Sequence, residues 1–133
     1  MYRRVFLATA LALSASAVHA GEPVPYTPGA AEAAMDAGDT VLLDFWASWC
    51  STCAAQERVL TALKDGNPAY EESITFFVVD WDLHGQGELA TALNIPRRST
   101  LVLLKGREEL GRIVAGTSEE DIKALLDLGL PTP

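Results

Sequence analysis

The chain is poor in basic residues and in the side chains that most often hold metals. Its 133 residues include only two cysteines, Cys50 and Cys53, and two histidines, His19 and His84. Two cysteines are too few for a disulfide framework and too few for a four-cysteine zinc site. Lys and Arg number 10 against 18 Asp and Glu, a formal net charge of −8. That balance argues against nucleic acid or an anionic membrane surface as the main partner, because both demand basic patches. No internal repeat and no second domain can be traced, and the length suits one domain of about 100–200 residues. With 49% hydrophobic residues the chain can bury a real core, which excludes wholesale disorder.

Arg3 and Arg4 precede a run of apolar and small residues from Val5 to Val18, and Val18-His19-Ala20 gives a small-x-small cleavage pattern before Gly21. Residues 1–20 therefore read as a signal peptide. The apolar part is shorter than the roughly 20 residues of a membrane span, so no stable membrane insertion is expected after cleavage; an uncleaved anchor is the alternative. The arginines stand almost at the start with no lysine after the run, which favours general secretory export over the twin-arginine route. No cysteine follows the cleavage position, so a lipoprotein anchor is excluded. The expected location is periplasmic. Without these residues the acidic excess grows, and His84 is the one histidine left.

Residues 21–29 hold Pro23, Pro25 and Pro28 and read as an extended leader. Ala30 to Ala37 predicts a short helix. Val41 to Trp46 is an apolar run broken only by Asp44, the pattern of a buried central strand in a parallel sheet. A helix follows from about Cys50 to Lys64, with Ala54, Val59, Leu60 and Leu63 at helical period and Gly66-Asn67-Pro68 as its stop. Ile74 to Val79 predicts a second strand, joined by a right-handed crossover to the first and parallel to it. Glu88 to Leu93 predicts a short helix. Thr100 to Leu104 and Leu110 to Val114 predict a hairpin turning at Gly106. Thr117-Ser118-Glu119-Glu120 has the form of a capping box, Thr117 at the N-cap, that opens a last helix ending near Gly129. The pattern implies an α/β fold: a central mixed four-stranded sheet flanked by helices, spanning residues 30–133.

The two cysteines stand three apart, as Cys50-Ser51-Thr52-Cys53, at the predicted start of a helix. A thiol there meets unsatisfied backbone N–H groups and the positive end of the helix dipole, which favour the thiolate. A thiolate attacks a substrate disulfide to give a mixed disulfide, and a second cysteine one helical turn away can resolve it. Trp46-Ala47-Ser48-Trp49 leads straight off a strand, which puts the pair at the carboxyl edge of the sheet, where open α/β sheets bind ligands.

The segment Val41-Leu42-Leu43-Asp44-Phe45-Trp46-Ala47-Ser48-Trp49-Cys50-Ser51-Thr52-Cys53 resembles the active-site strand and helix start of the thioredoxin family. The likeness extends through Val79-Asp80-Trp81-Asp82 and Thr100-Leu101-Val102-Leu103-Leu104-Lys105-Gly106, covering roughly residues 30–128. It implies a thioredoxin-like fold and a protein-disulfide oxidoreductase, with no cofactor and no metal. Carried across, Cys50 is the attacking nucleophile, Cys53 the buried resolving thiol, and Asp44 the buried carboxylate that assists proton removal from Cys53. Physical chemistry agrees about Asp44: an acid inside an apolar run has a raised pKa and can serve as a base near neutrality. A solvent-facing Asp at a strand edge is the plain alternative. Trp49 would form the flat surface that docks substrate, with core packing as its alternative. Arg98, Ser99 and Thr100 complete the expected substrate-binding loop.

Two departures from the family pattern stand out. Ser99 occupies the place of a cis-proline, and because a cis bond before a non-proline residue costs about 2.5–4 kcal/mol, the Arg98–Ser99 peptide is expected trans. The family's proline also keeps metals from the cysteines, so Ser99 puts metal exclusion in question. Val78 stands where cytosolic members usually carry a buried lysine near the aspartate. Arg97 and Arg98 either favour the Cys50 thiolate or steer an anionic partner, unless they simply line a solvated loop.

Three readings of function follow. The first is an exported thiol–disulfide oxidoreductase exchanging disulfides with other exported proteins. Exported oxidants in the family carry a large helical insertion for which this chain has no room. The balance therefore tilts to a reductant or electron relay fed by a membrane thiol-reductase. The second is a metal-binding protein holding copper, zinc or a shared iron–sulfur cluster through the same thiolates. The third is a binding module whose Cys50–Cys53 disulfide is purely structural, although so small a loop contributes little by chain entropy.

Overall fold

A computed structural model describes residues 22–132. The expected signal peptide over residues 1–20 lies outside the described residues. Along the chain the elements are β1 (Val24–Pro25), α1 (Ala30–Asp36), β2 (Thr40–Trp46), α2 (Ser51–Gly66), α3 (Ala69–Ser73), β3 (Thr75–Asp80), α4 (Trp81–His84), α5 (Glu88–Ala92), β4 (Thr100–Lys105), β5 (Glu108–Val114) and α6 (Glu119–Asp127). No helix among the described residues is long and apolar enough to cross a membrane.

The strands form one mixed sheet in the order β1-β3-β2-β4-β5. β1, β3 and β2 run parallel, while β4 and β5 are antiparallel to their neighbours. The count is five strands rather than the four expected, and the segment taken as a mere leader supplies the fifth. Val24 and Pro25 pair with Phe77 and Val78, and Tyr26 donates its N–H to the Val78 carbonyl at 2.8 Å. The prolines hid this strand, yet an edge tolerates a residue without an N–H because one side of the ladder has no neighbour to bond. Tyr26 is buried and donates its hydroxyl to Glu32 of α1 at 2.7 Å, which ties the segment to the body of the domain. His84, at the end of α4, meets Tyr26 edge to face.

The apolar run of β2 is continuous because both of its faces are covered. Side chains alternate between faces along a strand. Val41, Leu43 and Phe45 pack with Ala31, Met35, Leu89 and Ala90 from α1 and α5. On the opposite face Leu42 packs with Leu60 and Leu63 of α2, Tyr70 of α3, and Ile122, Leu125 and Leu126 of α6. Each fully buried leucine contributes about 1.5–3 kcal/mol. Asp44 lies in the even register of β2, so its side chain points into the face that α2 covers rather than to solvent at an edge. The last helix is capped by Ser118, whose hydroxyl accepts the Asp121 N–H, one residue later than the expected cap at Thr117. α3 and α4, each under two turns, went unpredicted.

Candidate active site

β2 ends at Trp46, and Ala47-Ser48-Trp49 carries the chain from the carboxyl edge of the sheet to the start of α2. Cys50 is the N-cap of α2: its backbone is extended, and its sulfur accepts the Cys53 N–H at 3.1 Å. A sulfur in this position sits where the opening N–H groups of a 16-residue helix concentrate positive potential, so it gains most when it carries negative charge. Cys50 and Cys53 form a disulfide, their Cα atoms 5.2 Å apart. Cys50 keeps slight exposure, 5%, whereas Cys53 has none. An incoming disulfide therefore reaches Cys50 first.

The loop before β4 closes over the pair. Because β4 runs antiparallel to β2, its first residue lies opposite the end of β2, with Thr100 paired to Phe45. Ser99 donates its N–H to the Phe45 carbonyl at 2.7 Å, and its hydroxyl lies 3.0 Å from Cys50 Sγ and 3.1 Å from Cys53 Sγ. Sulfurs joined in a disulfide carry no proton, so the hydroxyl is the donor. The Arg98–Ser99 peptide is trans, as its energetics require, and Ser99 adopts φ +62°. Thr100 is fully buried and donates its hydroxyl to the Arg97 carbonyl at 2.7 Å, so it shapes the loop instead of presenting itself to substrate.

Trp49 is exposed, 59%, so it is a surface group and not part of the core. Its indole N–H points at the Asp82 carboxylate, 2.9 and 3.1 Å from the two oxygens. The Arg98 guanidinium stacks on the ring, 4.4 Å from its centroid. These contacts hold a flat aromatic surface beside Cys50. Arg97 turns its Nε–H to the neighbouring Arg98 carbonyl.

Asp44 is buried, and its Oδ1 has no hydrogen-bond partner. It lines a cavity of about 240 Å³ with Pro23, Trp46, Glu57, Thr61 and Lys64 among others. Burial, reinforced by the Glu57 carboxylate and opposed by Lys64, raises the Asp44 pKa to about 7. The missing lysine on β3 thus has a counterpart: Val78 pairs with Asp44, while positive charge arrives from α2 through Lys64. A carboxyl poised near neutrality can take or give a proton. Glu57 lies four residues after Cys53, on the same helix face. The Asp44 cavity therefore adjoins the turn of α2 that follows Cys53.

Sequence reasoning missed Gln56. This side chain is fully buried, and its amide donates to the Ser99 carbonyl at 3.0 Å and the Gly116 carbonyl at 2.9 Å. Its position three residues after Cys53, on the inward face of α2, was the available signal. Asp82, Glu57 and Lys64 also belong to the site and gave no sign beyond their spacing. No group of three or more His, Cys, Asp or Glu side chains suited to a metal stands together among the described residues.

The chain is similar to known proteins over most of its length. The Thioredoxin family profile matches residues 29–128. A Thioredoxin H-type of Brassica oleracea is 30% identical over 122 residues, which is 90% of this chain and 91% of that protein. Thioredoxin H2-1 of Oryza sativa subsp. japonica is 34% identical over 80 residues, and the match spans 54% of the rice protein, about half its length. The crystal structure of Trxlp from Edwardsiella tarda EIB202 superposes with a TM-score of 0.67 at 30% identity, over 83% of this chain and 100% of that one. A close cysteine pair at the start of α2, on a sheet of this topology and within a profile match over most of the chain, has one consistent explanation: the chain belongs to the thioredoxin family and is a thiol–disulfide oxidoreductase.

Proposed function

We propose that the protein works outside the cytoplasm as a reductant or electron relay, taking electrons from a membrane thiol-reductase and passing them to disulfides of other exported proteins. The observation that carries the reading is the placement of Cys50 as the N-cap of α2 beside the exposed Trp49 surface. In the reduced protein Cys50 thiolate attacks a substrate disulfide docked on Trp49. A Cys50–substrate S–S bond forms, the substrate's own S–S bond breaks, and the leaving thiolate takes a proton from solvent. Cys53 then loses its proton, with Asp44 as the acceptor that its raised pKa permits. Its thiolate attacks Cys50 Sγ, the Cys50–Cys53 bond forms, and the second substrate thiolate leaves. Substrate gains two electrons and becomes a dithiol; the protein loses two and holds the disulfide.

Export is supported by the signal-peptide pattern of residues 1–20. The reductant direction is supported by the compactness of the chain, whose elements follow one another through short connections with no inserted helical unit among the described residues. The test is mixed-disulfide trapping in fractionated cells. Cys53→Ser should accumulate mixed disulfides through Cys50 in the extracytoplasmic fraction, and Cys50→Ser should accumulate none. Equal trapping by both variants would overturn the assignment of roles, and trapping confined to the cytoplasm would overturn the location.

A further inference from the structure

We infer that the Ser99 hydroxyl is a catalytic hydrogen-bond donor that serves the two sulfurs in turn, Cys50 in the reduced protein and Cys53 in the mixed disulfide. Three observations carry it. First, one hydroxyl lies within 3.1 Å of both sulfurs, and Ser99 itself has no exposed surface although Cys50 keeps 5%, so no water reaches the hydroxyl to compete for its hydrogen. Second, the residue is pinned on every side. Its N–H goes to Phe45, and its carbonyl accepts from the Ala115 N–H at 2.8 Å and from the Gln56 amide at 3.0 Å. Third, Ser99 holds φ +62°, a region that glycine enters freely and other residues seldom do. Strained backbone of this kind persists only where its surroundings enforce it. Compared with the glycine that would suit this backbone, serine adds a single functional group, and that group is aimed at the disulfide.

The consequence for chemistry follows from charge. A hydroxyl hydrogen bond to an ionised sulfur is roughly twice as strong as one to a neutral acceptor. When the disulfide takes up two electrons and one proton, the S–S bond breaks, Cys50 becomes a thiolate and Cys53 a thiol. The hydrogen of Ser99 then points at Cys50 and holds the nucleophile ionised. After attack on substrate, Cys50 Sγ is neutral within the mixed disulfide. A rotation about the serine Cβ–Oγ bond turns the same hydrogen to Cys53 Sγ, which must now become a thiolate. One donor thus supports whichever sulfur carries the charge, and it favours the dithiol over the disulfide at equilibrium. Gln56 acts through Ser99 as a positioning residue.

The inference rests on Cys50 being the attacking thiolate, and its test separates the two. The reduced protein, Ser99→Gly and Ser99→Ala are titrated by thiolate absorbance in the ultraviolet, and brief alkylation followed by mass spectrometry identifies the cysteine that ionises first. Ser99→Gly removes the hydroxyl while easing the backbone, so it reports even if Ser99→Ala fails to fold. The charged side chains on the surrounding elements include Asp44 on β2, Glu57, Arg58, Lys64 and Asp65 on α2, Asp80 on β3, Asp82 on α4, and Arg97 and Arg98 in the loop. All are unchanged in the variants. The expected result is an apparent Cys50 pKa about one unit higher, a tenfold smaller ionisation constant, which lowers the reduction potential by about 30 mV at a pH where the thiolate predominates. With Cys50 alkylated, the Cys53 pKa should likewise rise in both variants. A Cys50 pKa unchanged or lowered in Ser99→Gly overturns the role of the hydroxyl, as does a shift confined to Ser99→Ala. Alkylation falling first on Cys53 would instead overturn the assignment of the nucleophile.

Discussion

Replacing Asp44 by asparagine should flatten the dependence of stability on pH and make the oxidised protein more stable in mild alkali. The Asp44 carboxyl is buried against α2, its Oδ1 lacks a partner, and its burial raises its pKa to about 7. In the unfolded chain the same group titrates at about 3.9. Between those values the folded protein keeps a proton that the unfolded chain has released. Stability therefore falls as pH rises from about 4 to 7 and levels off above. Three pKa units at about 1.4 kcal/mol each give a loss of roughly 4 kcal/mol across the window. Asparagine removes that loss, but its own unpaired amide takes back about 1–3 kcal/mol. The net gain at pH 8 is then about 1–3 kcal/mol. Asp127, held below its usual range by Lys123 and Tyr70, contributes its own slope only at the acid end, outside this window. Urea unfolding followed by tryptophan fluorescence, with the disulfide kept oxidised, measures both quantities between pH 4 and 8. A native protein whose stability does not fall between pH 5 and 7, or an Asp44→Asn variant that keeps the native slope, would refute the placement of this charge.

Two further substitutions separate support from docking. Gln56→Ala removes the amide donor from the Gly116 carbonyl and one of two donors from the Ser99 carbonyl, which keeps the Ala115 N–H, and should lower stability by roughly 1–3 kcal/mol, read from the denaturant midpoint. Trp49→Ala removes an exposed ring held by Asp82 and Arg98 and should change stability by less than about 1 kcal/mol. It should raise KM for a protein disulfide far more than for a small-molecule disulfide; an equal effect on both would remove Trp49 from the docking surface.

What the sequence revealed and what it hid have physical causes. β2 announced itself because its length covered on both faces, Val41 to Trp46, is apolar at every position but one, and the exception, Asp44, marked the site. The N-terminus of α2 was readable because Cys50 and Cys53 occur at the spacing of one turn directly after a strand. β1 was hidden because Pro23, Pro25 and Pro28 suggest a structureless leader. A two-residue pairing at an edge leaves no periodicity, and only the burial of Tyr26 reveals it. Gln56 was hidden because glutamine in an amphipathic helix ordinarily faces water. Its burial depends on two carbonyls contributed by loops 43 and 60 residues away. Ser99 was noticed as a departure, but that its hydroxyl reaches both sulfurs follows from the antiparallel register of β4 on β2 and from a left-handed backbone, neither of which local sequence encodes.

The electrostatics of the Asp44 cavity show the same division. The sequence indicated a carboxylate without its usual lysine at Val78. The fold supplies Lys64 from α2 and adds Glu57, a second carboxylate that pushes in the opposite sense. Charges brought together across a sheet–helix interface are set by tertiary packing, which is why the compensating residue lies on a different element from the one expected.

The central claim, a reversible two-electron exchange at Cys50 and Cys53 on the reducing side, is tested most directly by equilibrating the metal-free protein in graded thiol–disulfide buffers. The expected result is a single two-electron transition with a midpoint closer to the value of about −270 mV for thioredoxin than to the value of about −120 mV for a strong periplasmic oxidant. A midpoint near the latter would contradict the direction of electron flow. A disulfide that fails to interconvert reversibly would contradict the account itself and return the cysteines to a structural or metal-binding role.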